Sequence, residues 1–366
     1  MNNRLTQLTK WVEDKQHDFA FISSTANVFY LTNFHCTPHE RLLGLAVLPK
    51  EEPILICPGM EVQQARNAGW GHEIIGYGDA EDPWEFIRQA LNKRGITQAR
   101  SAAIEKSHLP YERAEKLQSI FPGITLAQAE EKLGQLRMAK DENELNALRK
   151  AARFADAAVE IGVGAITEGT TEMEILAEIE YEMKKKGISE MAFSTMVLAG
   201  ANAASPHGTP GTTPIWKGDL VLFDLGVVVD GYCSDITRTV AYDHVSNEQE
   251  KIYNTVLNAQ EASLAKGKPG IRIGDLDQTA RQIISEAGYG EYFPHRIGHG
   301  LGIEAHEAPS MSENNDDLLK AGMVYTIEPG IYVPEVAGVR IEDDVYVTKD
   351  GFECLTQYPK ELQIVK

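Results

Sequence analysis

Residues 221–240 read VLFDLGVVVDGYCSDITRTV, and the way this stretch pairs with itself decides how the rest is understood. Its apolar, β-branched run breaks only at Asp230-Gly231, a dipeptide that favours a two-residue turn with positive φ. Such a turn pairs Val229 with Tyr232, Val227 with Ser234, Gly226 with Asp235 and Asp224 with Thr237. Asp224 and Asp235 then share a face as diagonal neighbours, with β-carbons roughly 7 Å apart. Two ionised carboxylates held side by side among apolar residues are costly unless a cation neutralises them. Either a divalent metal sits here or one acid keeps its proton.

The arrangement recurs downstream. Residues 326–347, TIEPGIYVPEVAGVRIEDDVYV, read as a second hairpin with residues 334–338 as its loop. Val333 then pairs with Val339, Glu328 opposes Asp344, and Glu342 lies diagonal to Glu328 on the same face. Tyr332 and Arg340 share that face, while Ile327, Ile331, Val339 and Ile341 form an apolar opposite face. Just upstream, RIGHGLGIEAHE at 296–307 places His299 and His306 seven residues apart, with glycines bracketing the first. Two acids beside a turn are usually solvated, and a glycine-flanked histidine is often structural. Two hairpins that each converge carboxylates among apolar residues, with an imidazole nearby, are a different matter. Four carboxylates and one imidazole suit two divalent ions, whose combined charge balances that of the acids.

Around this pair the chain alternates in an orderly way. Length suggests two domains at about 150 residues each, with the boundary near residue 135. In the first half, β-rich runs at 19–23, 28–32, 42–48 and 53–57 suggest one sheet, joined by strands at 72–77 and 101–104 and helices at 60–68, 84–93 and 110–120. Residues 1–135 are thus expected to form an α/β domain. Residues 136–366 continue with helices at 142–163 and 171–186 before the first hairpin. A second helix pair follows it, opened by a capping box at Ser246-Asn-Glu-Gln249 and running to about 265, then 274–287. Between the apolar segment 191–198 and the first hairpin lies a long Gly/Pro/Thr loop carrying His207, and loops of that kind are often functional.

With 35 basic and 54 acidic residues the net charge is −19, which repels phosphate backbones and argues against a nucleic-acid partner. The first sixteen residues space Leu5, Leu8, Trp11 and Val12 like an amphipathic helix and not like a signal peptide, and no apolar run is long enough to span a membrane. The four cysteines, Cys36, Cys57, Cys233 and Cys354, are scattered without a CxxC pair. A soluble, cytoplasmic protein without disulfides or membrane contact is expected. The chain carries no nucleophile elbow, P-loop, HExxH helix or dinucleotide fingerprint, which leaves hydrolysis by bound water.

The motifs DLG, SDITRT, GHGLG, IEPG and VRIEDD resemble those of the pita-bread metallopeptidases, the family of methionine aminopeptidase, aminopeptidase P and prolidase. The resemblance covers residues 143–366. It implies an α+β chain whose C-terminal pita-bread (creatinase/aminopeptidase-like) catalytic domain, with a pseudo-twofold relation between its halves, follows an N-terminal α/β domain of the creatinase/prolidase type. It implies metal ligands at Asp224, Asp235, His299, Glu328 and Glu342. Asp224 chelates one ion, Asp235 and Glu342 bridge, and His299 with Glu328 holds the other; manganese is expected, with cobalt and zinc as alternatives. Glu328 becomes the proton shuttle, His306 the oxyanion contact, His207 the residue that positions the peptide, and Arg340 and Tyr332 supports from the second hairpin. The extra N-terminal domain points to proline specificity. The expected activity is that of an Xaa-Pro dipeptidase acting on a proline-containing peptide through a metal-bridging hydroxide, in a homodimer. The alternatives are an aminopeptidase P on longer peptides and a non-catalytic peptide-binding protein, the latter disfavoured by all five ligand positions being filled. One departure stands out: dipeptide-specific members often carry an arginine after the HExP segment to hold the free carboxylate, and here that position is Ser310. His35, His39 or Arg41 are candidates to replace it.

Overall fold

The computed structural model describes residues 3–366. Met1 and Asn2, the start of the expected first helix, lie outside the described residues. The chain divides into two compact units, Met1–Arg137 and Met138–Lys366.

In the first unit the amphipathic start is helix Asn3–Asp14, burying Leu5, Leu8 and Val12. Six strands form one sheet in the spatial order Glu73–Tyr77, Ile54–Pro58, Gly44–Val47, Phe19–Ile22, Ser101–Ile104, Thr125–Gln128. The sheet is mixed, parallel at both edges and antiparallel in the centre. Residues 28–32, expected as a strand, are helical instead, in Thr25–Thr32. The reason is capping. The Ser24 hydroxyl accepts from the Asn27 N–H, and Asn33, at φ 60°, ends the helix in the left-handed region. Buried Glu105 secures that start by accepting from both Ser23 and Ser24 amides and from the Asn27 side chain. The strand Thr125–Gln128 and the helix Glu130–Met138 have weak patterns and escape a sequence reading.

The second unit is built twice over. Helix Glu142–Gly164 starts at an Asp141 capping box with Glu144 and buries Leu145, Leu148, Ala152, Ala155 and Val159. With helix Glu172–Lys185 it covers a four-stranded sheet ordered Ile364–Val365, Ile236–Tyr242, Leu220–Leu225, Met196–Ala199. Helices Asn247–Leu264 and Gly274–Glu286 then cover a five-stranded sheet ordered Glu307–Met311, Gly298–Gly300, Val324–Ile327, Asp343–Val347, Phe352–Cys354. Each half thus repeats a helix pair followed by a hairpin. No helix among the described residues is long and apolar enough to cross a membrane.

The first hairpin has the register that its turn demands. Asp230 and Gly231 both have positive φ, at 52° and 82°, Val229 pairs with Tyr232 and Asp224 with Thr237. The second hairpin departs from the expectation. Its closing pair is Val333–Ala337, so the loop is three residues long, with Glu335 at φ 61°. Thr326 therefore opposes Asp344, and Glu328 comes opposite Glu342 instead of diagonal to it. Because the partner moves by two residues, every side chain keeps its face, and Ile327, Ile331, Val339 and Ile341 are fully buried in the core.

Candidate metal centre

Each candidate ligand sits where a strand ends or a ladder is interrupted. Asp224 is next to last in Leu220–Leu225, and Asp235 falls between Tyr232–Cys233 and Ile236–Tyr242. Glu328 follows Val324–Ile327, Glu342 separates Ala337–Arg340 from Asp343–Val347, and His299 is the centre of Gly298–Gly300. The glycines around His299 are sterically required. A β-carbon at Gly298 would lie 2.0 Å from the Thr326 carbonyl oxygen, and one at Gly300 would lie 2.1 Å from that of Ala308.

The five side chains converge. His299 Nε2 lies 3.3 Å from Glu328 Oε1 and 3.8 Å from Asp235 Oδ2, and ligand atoms of Asp235, His299 and Glu342 all fall within 4.8 Å of one another. His299 Nδ1 is 3.1 Å from the Gly300 carbonyl, which can only accept, so Nδ1 carries a proton and Nε2 is directed at the carboxylates. Asp224, Asp235, His299 and Glu342 are buried. Among the described residues, Asp224 Oδ1, Asp235 Oδ1 and Glu342 Oε1 have no hydrogen-bond partner. Native interiors seldom leave carboxylate oxygens in that condition, and oxygens of this kind beside an imidazole are the donor set that hard or borderline divalent cations take. The residues fit the metals that the motifs imply.

Electrostatics states the same requirement. Burial, reinforced by the charges of neighbouring carboxylates, raises Asp235 and Glu342 well above the usual range. Burial also raises Asp224, although Arg340 opposes it. For Glu328 burial pushes upward, but the hydrogen bond and charge of His299 outweigh it and hold the carboxyl below its ordinary value. Arg340 organises one side. Its Nη2 donates to Asp224 Oδ2, its Nη1 to Tyr332 Oη at 2.8 Å and its Nε to Thr237 Oγ1 at 3.1 Å. The Thr237 hydroxyl donates in turn to Glu342 Oε2 at 2.6 Å. One oxygen of Asp224 and one of Glu342 are fixed by protein donors, which leaves the other oxygen of each for a cation.

A cavity of about 710 Å³ opens on this set. All five candidate ligands line it, as do Arg340, His306 and His207. The His306 ring meets His299 edge-on, with centroids 4.1 Å apart. Burial, together with His299 and Arg296, lowers the His306 pKa, so the ring is neutral near pH 7. His207 is exposed on its loop. Tyr332 is not on the wall: it is buried behind Arg340, its hydroxyl 2.9 Å from His295 Nε2. Arg41 is engaged by Asp79 at 2.7 Å and Glu40 at 3.1 Å.

Several residues of the site escape a sequence reading. Thr237 could have been found from the register, because it faces Asp224 directly. Asp344, whose Oδ2 accepts the Asp235 N–H at 3.1 Å, lies two residues beyond Glu342 and so on the same face. His295 and Arg296 line the cavity, but only their closeness to His299 in sequence hints at it.

Comparison with known proteins agrees with this geometry. Residues 146–349 match the model of metallopeptidase family M24, and residues 4–139 match the creatinase/prolidase N-terminal domain. The chain is 59% identical over 363 residues to the "Putative dipeptidase YkvY" of Bacillus subtilis (strain 168), covering 99% of this chain and 100% of that one. Among solved structures it is similar to the prolidase from Pyrococcus horikoshii OT3, with TM-score 0.91 and 35% identity over 99% of this chain and 100% of that one. The Xaa-Pro dipeptidase from Bacillus anthracis gives TM-score 0.91 and 34% identity, with 99% of each chain covered. Converging ligand-type side chains on paired hairpins, a doubled helix-and-hairpin architecture and these matches agree: the chain belongs to metallopeptidase family M24, with a creatinase-like N-terminal domain ahead of a pita-bread catalytic domain.

Proposed function

We propose that this peptidase is a dinuclear Xaa-Pro dipeptidase. The observation that carries the reading is the set of three buried carboxylate oxygens without protein partners, facing His299 in one cavity. Asp224 would hold one ion, Asp235 and Glu342 would bridge, and His299 with Glu328 would hold the other. Two divalent cations, manganese by preference, lower the pKa of water toward about 7 when bound and polarise a carbonyl oxygen. The remaining chemistry belongs to the chain. Glu328, which lines the cavity beside His299, would take the proton from the attacking water and return it to the leaving proline nitrogen. Neutral His306 donates an N–H to the oxyanion, and His207 donates to the peptide from its loop. Phe193 and Met196 give the cavity an apolar wall for a proline ring.

Arg296 supports a dipeptide substrate over a longer one. Of the two arginines on the cavity wall, Arg340 is committed to Asp224, whereas Arg296 is exposed and, among the described residues, donates only to the Ser310 hydroxyl, at 3.2 Å. It is a guanidinium with donors to spare at a mouth where a dipeptide's free carboxylate would emerge. The four cysteines are free, in keeping with a cytoplasmic enzyme, and the family resemblance favours a homodimer.

The test is hydrolysis of Ala-Pro, Ala-Pro-Ala and Met-Ala-Ser side by side with manganese. Ala-Pro should be cleaved fastest, and Arg296→Ala should raise its KM by about tenfold or more, the loss of one charge-assisted contact. Faster cleavage of Ala-Pro-Ala would make the enzyme an aminopeptidase. No cleavage of any of the three would make it a binding protein.

A further inference from the structure

The loop that presents His207 has little in its own sequence to hold it. Residues 200–213, GANAASPHGTPGTT, contain no apolar side chain larger than alanine apart from prolines. Beyond the short turn Gly200–Ala204, whose Ala203 is buried, its local bonds are Ser205 N–H to Asn202 O and Gly208 N–H to Ser205 O, both 3.0 Å, and Asn202 Nδ2 to Thr213 Oγ1 at 2.9 Å. Its other anchors gather on Glu172, the fully buried first residue of helix Glu172–Lys185. Glu172 Oε1 accepts from the Ala199 N–H at 2.7 Å and from Asn202 Nδ2 at 3.0 Å. Oε2 accepts from the Gly211 N–H at 2.9 Å and again from Asn202 Nδ2, at 3.2 Å. The backbone follows suit, with Glu172 N–H to Thr213 O at 3.1 Å and Met173 N–H to Gly211 O at 3.0 Å. One carboxylate therefore joins the two ends of the loop, and His207 lies between them.

Helix capping does not account for this side chain. Thr171 and Glu174 already form a capping box at the same helix start, and Glu174, with no such duty in the loop, remains in solvent. A carboxylate is buried at high cost unless hydrogen bonds satisfy it, and those at Glu172 come mainly from the loop. We infer that Glu172 is a positioning residue for the peptidase reaction, setting His207 at the cavity through a clasp on residues 199–211. The inference rests on the reading of His207 as a substrate contact.

The experiment compares Glu172→Gln, Glu172→Asp, Asn202→Ala, His207→Ala and the double variant Glu172→Gln/His207→Ala in Ala-Pro hydrolysis by the manganese-loaded protein, with metal content measured in each. Glu172→Gln places an amide N–H₂ among donors and should lower kcat/KM by about 10- to 100-fold, the range for a displaced positioning group, with metal content unchanged. The double variant should be no more than about twofold worse than His207→Ala, because both changes remove one function. Glu172→Asp should recover part of the loss, and Asn202→Ala should fall between. Wild-type kcat/KM in Glu172→Gln would overturn the inference, as would multiplicative losses in the double variant or loss of metal in step with activity. Should Glu172→Gln fail to fold, Asn202→Ala decides, since it leaves the carboxylate its two backbone donors; unchanged kcat/KM there overturns the clasp. If His207→Ala is itself fully active, the substrate-contact reading fails. Hydrogen exchange at the Gly208 and Gly211 amides of the Glu172 variants then judges the clasp separately, and unchanged protection sinks it.

Discussion

Stripped of divalent cations by a chelator, the protein should lose thermal stability as the pH rises from about 6.5 to about 7.5. The cause is Asp235, Glu342 and Asp344, buried carboxyls that desolvation raises well above their usual range, with neighbouring carboxylates adding to it. A folded-state pKa above the unfolded value means that the native state holds the extra protons. Stability is then fully present below the unfolded value, near 4, and is lost as pH climbs toward the folded one. Glu328 and Asp343 shift the other way, so their contributions change only below about pH 4, whereas His295 and His306, lowered by burial, add stability as pH rises to about 6.5 and oppose the loss up to that point. Each pH unit crossed by one raised group is worth about 1.4 kcal/mol, and in a unit of this size 1 kcal/mol moves Tm by about 2–4 °C. A single group titrating in the window therefore lowers Tm by about 3–6 °C per pH unit. Manganese at a hundred times its dissociation constant adds about 2.7 kcal/mol, and because protons compete for the same oxygens its increment should be larger at pH 7.5 than at pH 5. Calorimetry across the range, with chelator and with manganese, decides. A Tm in chelator that does not fall between about pH 6.5 and 7.5, or an equal metal increment at both ends, would refute the account of the site as a cluster of mutually repelling acids.

Asp235→Asn keeps the shape and removes one charge; metal analysis should find fewer bound ions, activity should fall by at least about 100-fold, beyond what outer-shell changes cost, and a fully loaded, fully active variant would end the dinuclear reading. Gly226→Ala places a β-carbon 1.8 Å from the Ser234 carbonyl oxygen, so denaturant unfolding should show a loss at or above the usual overpacking cost of about 1–3 kcal/mol, with metal content falling as Asp235 is displaced. Gly164→Ala, with nothing within 4 Å, is the control and should be neutral or stabilising by up to about 1 kcal/mol. Arg238→Met breaks the buried pair with Asp343 at 2.8 Å and should cost about 3–5 kcal/mol, a loss that calorimetry should find smaller once Asp343 can take a proton near pH 4.

How much was legible in the sequence depended on how local the cause was. The first hairpin could be read residue by residue, because two adjacent residues, Asp230 and Gly231, set both its turn and its register. The second was misjudged because Gly338 looks like a turn residue. It lies instead in the strand Ala337–Arg340, where a β-carbon would fall 1.7 Å from the Ala203 carbonyl oxygen, while the left-handed turn position is Glu335. That constraint comes from a segment more than a hundred residues away, and no local pattern carries it. The same holds for the misread helix Thr25–Thr32. Its β-branched content argues for a strand, but the Ser24 cap is fixed by Glu105 from another strand's end. Acids and imidazoles announce themselves in a sequence, whereas the neutral Thr237 draws notice only once the register sets it against Asp224.

The ladder interruptions at the candidate ligands are also what join the two hairpins. A strand residue inside a ladder spends its N–H on the neighbouring strand; at an interruption that N–H is free to bond elsewhere. The Glu342 amide donates to Thr237 O at 3.0 Å, the Asp235 amide to Asp344 Oδ2 at 3.1 Å and the Glu328 amide to Ile297 O at 2.8 Å. Thr239 Oγ1 accepts from the Arg340 amide at 3.3 Å, and Arg238 spans Asp343 and the Glu342 carbonyl. Asp235 and Glu342 therefore stitch one hairpin to the other through their backbone amides, and Glu328 ties the second hairpin to the segment just before His299. Candidate ligands borne by strands held in this way are positioned more tightly than side chains on loops. His207, proposed to contact the peptide, sits exposed on a loop without such a frame, and the clasp inferred for Glu172 would supply its placement.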